Sequence, residues 1–324
     1  MHNLAASISN TISKDPADII TKVRAGSQRS SSEKSIEAWE DLEESLVRLV
    51  YGSNMIESVG NTLGITIKLC QAVFRGQEVS INIEDRDPDY KAHLEHLLAA
   101  NRPANRQYAI RSRREIVQHA QALNFVVEHI VLNKESWSEN IILEAHRILH
   151  TGVDDDEVKA GQYRTYEVAV KYEKPGEKKQ KAHRCMRAKA VPQYMREMVQ
   201  HLNHDIAEAD KHGVLDPYTL AARYHHQFVN IHPFGDGNGR MSRIILNVLL
   251  LRYAGHVSEI GLNADERDEY IGIATRASQV FHREDMEVEF DDLTGHVELS
   301  RYILAKSKRN LEKMWGWVTK GERG

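Results

Sequence analysis

At 324 residues, 41% of them hydrophobic and 28% charged, the chain can bury a sizeable core, as one large domain or as a core domain with an added lobe. A net charge of −4 argues against the basic surface that general nucleic-acid binding needs, so no nucleic-acid partner is expected. Two cysteines, Cys70 and Cys185, cannot make a disulfide framework, Met1 to Lys14 lacks an apolar leader, and Ile244 to Leu251 is too short to span a bilayer; a cytoplasmic location without a membrane partner is expected.

Residues up to about Ser35 are polar, with a Ser-rich patch from Ser27 to Ser32, and are expected to be partly disordered. From Ser35, Trp39, Leu42, Leu46, Leu49, Val50 and Ile56 recur at helical spacing and predict one buried face. This helix runs into the stretch Tyr51 to Asn61, where Gly60 and Asn61 are stop signals. A second apolar segment, Leu63 to Phe74, is closed by Gly76 and carries Cys70 as a small core residue. The segment Asp85 to Pro103 is charged and interrupted by prolines, which places the boundary of an N-terminal helical lobe near residue 105. Ile116, Ala120, Leu123, Val127 and Ile130 form the next helical stripe, and Ser136 and Glu139 have the spacing of a capping box that opens a helix through Leu149. His146 and His150 share one side of that helix and are read as packing residues, since no carboxylate–histidine pattern for a metal lies nearby.

Tyr166, Val168, Val170 and Tyr172 alternate with Glu167, Ala169 and Lys171, and Pro175-Gly176 marks a turn. The stretch Tyr163 to Arg187 is therefore expected to be a β-hairpin, with Lys178, Lys179 and Lys181 near a solvated tip. Asp216-Pro217 starts a helix with an N-cap and a proline at N1, and Leu220, Tyr224, Phe228 and Ile231 line one face until Pro233. His225 and His226 on it are assigned to packing. Met241 to Ala254 is apolar nearly all round, as in the centre of a bundle, and Gly255 caps it. Asp291 to Val318 reads as helix, with Leu293, Val297, Tyr302, Leu311 and Trp315 as packing residues. The expected division is an N-terminal lobe (1–105, with a candidate inhibitory helix at 35–60), a core (106–292) and a C-terminal helix (293–324).

Between the two helices that flank it, the stretch Ile231 to Arg243 concentrates the chemistry. Gly237 and Gly239 let backbone N–H groups converge on an anion at the N-terminus of the following helix. Arg240 and Arg243, three residues apart, can reach the same anion from the first turns. Asp236 is a hard oxygen ligand suited to the Mg²⁺ of a nucleotide. His232 is placed to take a proton beside that anion, and neighbouring arginines should keep it neutral near pH 7. Phe234 is assigned to anchoring the loop in the core. The loop has neither the Walker pattern, nor G-x-G-x-x-G, nor the ligand alternation of an EF-hand.

His232, Phe234, Asp236, Gly237, Asn238, Gly239, Arg240 and Arg243 match every specified position of H-x-F-x-[D/E]-G-N-G-R-x-x-R, and the chain here resembles the Fic family. The resemblance implies an all-α fold, a helical bundle with a β-hairpin flap, and transfer of AMP from ATP to a hydroxyl of a target protein. It makes His232 the base and Asp236 the Mg²⁺ ligand. It assigns Asn238 and the loop amides, with Gly237 and Gly239, to the phosphate under attack, and Arg240 and Arg243 to the distal phosphates. Gly239 also separates the chain from the kinase-like Doc branch, which commonly carries lysine there. The hairpin resembles the family's flap, so Val168, Ala169, Val170 and Lys171 are expected to dock the target by strand addition. Upstream, Ser53 and Glu57 match the family's inhibitory helix [S/T]-x-x-x-E-[G/N], whose glutamate pairs with the second motif arginine, here Arg243; Ser58 departs from its last position. Two further classes stay open at this point: hydrolytic removal of AMP from a modified protein with Glu57 positioning water, and a non-catalytic nucleotide-binding module. Self-association into a homo-oligomer is also left open.

Overall fold

A computed structural model describes residues 33–152, 158–172, 181–284 and 293–321. The Ser-rich patch, Lys178 and Lys179 lie outside the described residues, as does the side chain of Trp315. The described chain is all-α with one short hairpin. Among the described residues no helix is long and apolar enough to cross a membrane.

Helix α1 (Glu33–Ile56) buries Trp39, Leu46, Leu49, Val50 and Ile56, the stripe its periodicity predicts. It stops as Ser58 and then Gly60 adopt positive φ (55° and 78°), with the amides of Ser58 and Val59 turned back onto Met55 O and Asn54 O, each at 3.0 Å. Helix α2 (Leu63–Phe74) is capped by Thr62 and buries Leu69, Cys70 and Phe74 against α1. The charged stretch that follows contains helix α3 (Pro88–Ala99), which the sequence reading passed over. Asp87 caps it and Pro88 opens it, the same start signal as at Asp216-Pro217. Helix α4 (Arg106–Val126) runs on through a π-helical segment, Val127–Leu132. Helix α5 (Glu139–His150) begins later than the capping-box spacing implies, because Ser138 rather than Ser136 caps it, its hydroxyl accepting from Ile141 N at 3.3 Å.

Strands β1 (Ala169–Tyr172) and β2 (Lys181–Arg184) pair antiparallel, with Ala169 opposite Arg184 and Tyr172 opposite Lys181. Two long helices left unassigned from the sequence, α6 (Val191–His212) and α9 (Ala264–Glu284), flank α7 (Pro217–Ile231). Helix α8 (Asn238–Ala254) is the centre: every residue from Arg240 to Leu251 is buried, against α7, α4, α5 and α1. That explains its apolarity all round. Helix α10 (Val297–Gly321) begins at Val297 rather than near Asp291 and packs on α7 and α9 through Leu299, Tyr302 and Ile303. One apolar core runs from Trp39 of α1 to Ile303 of α10, so the end of α1 and the start of α8 are held against a common support.

Candidate active site

The loop between α7 and α8 is shaped by what fills the space beside each glycine. A Cβ on Gly235 would collide with Tyr166 Oη, one on Gly237 would press on the rings of His150 and His146, and one on Gly239 would collide with Glu57 Oε1. Gly237 also has φ +77°. Phe234 is fully buried and stacks on His146 with ring centroids 3.6 Å apart, as its assigned anchoring role requires. Asn238 closes the loop: its Oδ1 accepts from Phe234 N and its Nδ2 donates to Phe234 O, both at 2.9 Å. One N–H of the Asn238 side-chain amide is thus engaged within the loop, beside the main-chain N–H groups of the first turn of α8. His146 Nε2 donates to Asp236 O at 3.1 Å while its Nδ1 accepts from Gly161 N at 3.0 Å. The two histidines read as ordinary packing are therefore supports of the loop. Burial first, with His150 and Arg240 adding to it against the raising effect of Asp236, pushes the His146 imidazole down to about 3, so it stays neutral in this role.

His232 ends α7 in the left-handed region (φ 51°, ψ 60°), its amide bonded to Phe228 O at 3.0 Å. Its Nδ1 faces Val229 O at 3.3 Å, which directs the ring proton there and leaves Nε2 as the acceptor. Burial depresses its pKa and Arg164 adds to this, against the raising effects of Val229 O, Glu57 and Asp236. The imidazole is therefore neutral near pH 7, through burial first, and the cation that contributes is Arg164 rather than the motif arginines.

Asp236 is half open to solvent, with 54% of its side chain exposed. Burial raises its pKa, but Arg240, His150 and the Gly237 amide outweigh that and hold the carboxyl below its ordinary range. An ionised, accessible carboxylate of this kind fits a hard divalent cation. Arg240 lies 3.5 Å from Asp236 Oδ2 and 3.2 Å from His150 Nε2 through Nη2, while its buried Nε and Nη1 have no hydrogen-bond partner among the described residues. Buried guanidinium N–H groups aimed at nothing are costly unless an anion meets them. The N-terminus of α8 adjoins them, capped by Gly237 without a side-chain bond.

Arg243 is buried and in use. Its Nε donates to Ser53 Oγ at 2.7 Å, and its Nη2 donates to Ser53 O at 3.0 Å and to Glu57 Oε1 at 2.6 Å. Burial would lower its pKa, but Glu57 and Tyr270 more than offset this, so it remains a cation. Tyr270 of α9 was not singled out in the sequence. Its ring lies 5.7 Å from the guanidinium, and its hydroxyl meets His225 Nε2 at 2.8 Å. Only a Tyr at helical spacing marks it in the sequence, which is no signal.

The hairpin is as short as β1 and β2, and Cys185 N extends its ladder to Val168 O at 3.1 Å. Its foot runs beside the loop, with Arg164 N donating to Pro233 O at 2.9 Å. Val168 is half-buried, and Ala169 and Val170 are exposed.

The Fic/DOC family profile matches residues 136–250, which span α5 through most of α8. A protein adenylyltransferase Fic of Nematostella vectensis is 27% identical over 229 residues, 71% of this chain and 43% of that protein. The protein adenylyltransferase fic-1 of Caenorhabditis briggsae is 33% identical over 150 residues, 44% of this chain and 25% of its own length. The chain thus spans less than half the length of these curated relatives. Among solved structures, a Fic domain containing signaling protein from Bacteroides thetaiotaomicron superposes with a TM-score of 0.60 at 20% identity, over 93% of this chain and 97% of that one. Fic-1 from C. elegans gives 0.56 at 20% identity, over 97% of this chain and 75% of that one. At that identity they speak for the fold. Residues 136–250 thus match a Fic/DOC family domain, and the fold around them is the one these Fic-domain structures share.

Proposed function

We propose that the chain is a protein adenylyltransferase that moves AMP from ATP to a hydroxyl of a target protein and is held at rest by Glu57. The observation that carries this reading is the seat of the Glu57 carboxylate, on Arg243 and against Gly239, beside the N-terminus of α8, whose cap Gly237 adds no side-chain bond, and beside the donors of Arg240 that have no partner among the described residues. A carboxylate there occupies a place built for an anion. The relatives named as protein adenylyltransferases support the choice of reaction.

In this reading His232 Nε2 takes the proton of the target hydroxyl as its oxygen attacks the α-phosphorus of ATP. A new P–O bond forms, the bond to the β-phosphate oxygen breaks, and pyrophosphate leaves. Arg240 and Arg243 hold the distal phosphates, and the main-chain N–H groups at Gly237 to Gly239 meet the phosphate under attack. Asp236 would hold Mg²⁺, which when bound neutralises charge between the phosphates. The target lies along Val168, Ala169, Val170 and Lys171 as an added strand.

The test uses purified Glu57→Gly protein and ATP labelled at either the α- or the γ-phosphate, alone and with a cell lysate. The α-label should become protein-bound and the γ-label should not, and the added substitution His232→Ala should abolish transfer while Mg·ATP affinity stays within a few-fold. Transfer of the γ-label, or equal α-labelling with and without His232, would overturn the assignment.

A further inference from the structure

Arg164 is 4% exposed, and among the described residues it forms no ion pair. Its guanidinium is instead committed to main-chain carbonyls. Nε donates to His232 O at 2.7 Å, Nη1 to Tyr166 O at 2.9 Å, and Nη2 to Met186 O at 2.5 Å and Ile231 O at 3.4 Å. Its own amide donates to Pro233 O. Burying a cation without a carboxylate is expensive, and burial does lower the Arg164 pKa. A planar fork with donors on three nitrogens can join acceptors from three separate segments and hold them at a fixed geometry.

Those segments are the ones that an adenylyl transfer must align. Ile231 and His232 provide the last carbonyls of α7, the negative end of its dipole, where a cation is favoured. Tyr166 lies just before β1 and Met186 just after β2, so both legs of the hairpin end on the same guanidinium. His232 holds a left-handed backbone that a non-glycine residue adopts only when its surroundings impose it, and Arg164 grips its carbonyl.

We infer that Arg164 is a positioning residue, fixing the target-docking hairpin relative to the base His232. The inference rests on the proposed reaction for its consequence, though not for its geometry. If the target hydroxyl is carried on the hairpin, its distance to His232 Nε2 is set through this side chain. A misplacement of about 1 Å in such an arrangement can cost on the order of 100-fold in rate. A plain structural staple would instead act on the stability of the whole bundle.

The experiment places Arg164→Gln and Arg164→Lys in the Glu57→Gly background and compares three readouts. Hydrogen exchange should quicken together in residues 166–172, 181–186 and 230–233 while α8 keeps its protection. The kcat of self-labelling should fall at least tenfold in Arg164→Gln, with the KM for ATP within twofold of the parent. Arg164→Lys, which keeps the charge and some donors, should fall between the two. Unchanged exchange in the hairpin, or a loss spread evenly over α8 with a matching rise in KM, overturns the inference. If the Glu57→Gly parent itself does not label, the proposed function fails, while the exchange pattern still decides the role of Arg164.

Discussion

Oε1 of Glu57 accepts a hydrogen bond from Nη2 of Arg243 at 2.6 Å, although 186 residues separate them along the chain. One helical turn before Glu57, Ser53 meets the same guanidinium through its hydroxyl, on Nε, and through its carbonyl, on the Nη2 that also serves Glu57. The end of α1 that carries both is itself fixed. Gly52 lies so close to Ile260 O that no Cβ would fit, Arg267 Nε donates to Ile56 O at 3.2 Å, and Gly60 N donates to Glu115 Oε2 at 2.9 Å. The carboxylate is thus delivered by a rigid element, and its own side chain remains 36% exposed, open to displacement. A stiff helix with a displaceable tip has the mechanics of a latch.

In the proposed resting state, Ser58 forms the turn that follows Glu57. Its φ of 55° lies in the left-handed region that glycine or asparagine adopts at less cost, which gives a backbone reason for the motif position from which it departs. Ser58→Gly should relieve strain and stabilise the protein by up to about 1 kcal/mol, less the added freedom of the unfolded chain. Basal self-labelling should fall two- to fivefold as the turn after Glu57 settles. Thermal unfolding and labelling assays on the two proteins check this; a destabilised Ser58→Gly protein with raised labelling would contradict it.

Tyr270 lies beside Arg243, its ring centroid 5.7 Å from the guanidinium. Tyr270→Phe keeps the ring over the guanidinium and removes the hydroxyl shared with His225 Nε2. A buried acceptor left unpaired costs about 1–3 kcal/mol, which should appear in denaturant unfolding. In the Glu57→Gly background the KM for ATP should rise severalfold, because Arg243 loses part of its orientation. An unaltered KM together with unaltered stability would show that the hydroxyl is idle.

Acid should unfold this protein early. The unfolded histidines titrate near 6.5, whereas burial lowers His93 to about 4, His146 and His225 to about 3, and His119 well below its ordinary value. The unfolded chain therefore binds protons that the folded chain refuses, so stability is fully present above about pH 6.5 and is lost as pH falls toward 4. Each such histidine contributes a slope of about 1.4 kcal/mol per pH unit in that window. Urea midpoints at pH 8, 7, 6 and 5 measure it. A flat profile from 7 to 5 would contradict the burial of these imidazoles.

Asp236→Ala should raise the Mg²⁺ concentration needed for half-maximal labelling at least tenfold in the Glu57→Gly background, since an accessible carboxylate is lost from the loop. An identical Mg²⁺ titration would remove Asp236 from the metal site.

The elements legible in the sequence were those with a local signal. The stripe of α1, the all-round apolarity of α8 and the start of α7 at Asp216-Pro217 reappear in the structure because one buried face, full burial and an N-cap each leave a short-range pattern. The same Asp-Pro signal at Asp87-Pro88 was masked by the charge around it. The loop from His232 to Arg243 was legible for a similar reason, since its glycines and arginines, Gly235 to Arg243, fall within nine consecutive residues. What the sequence could not show is pairing at a distance. Arg164 reads as one more arginine, Tyr270 as one more aromatic, and His146 with His150 as packing, because each takes its role from a partner far away in the chain. Glu57 was reached through the resemblance of its helix, not from any feature that pointed to Arg243.

The central claim is that Glu57 holds the enzyme off by occupying Arg243. It is tested most directly by the rate of self-labelling from α-labelled ATP in wild type, Glu57→Gly and Glu57→Gly/Arg243→Ala, with all three shown folded by circular dichroism. Releasing an arginine for a distal phosphate can be worth roughly 10³-fold in phosphoryl transfer. The account predicts a rise of well over tenfold in Glu57→Gly and a return to the resting rate when Arg243 is also removed. Equal labelling in wild type and Glu57→Gly, or a gain that survives the loss of Arg243, would contradict it.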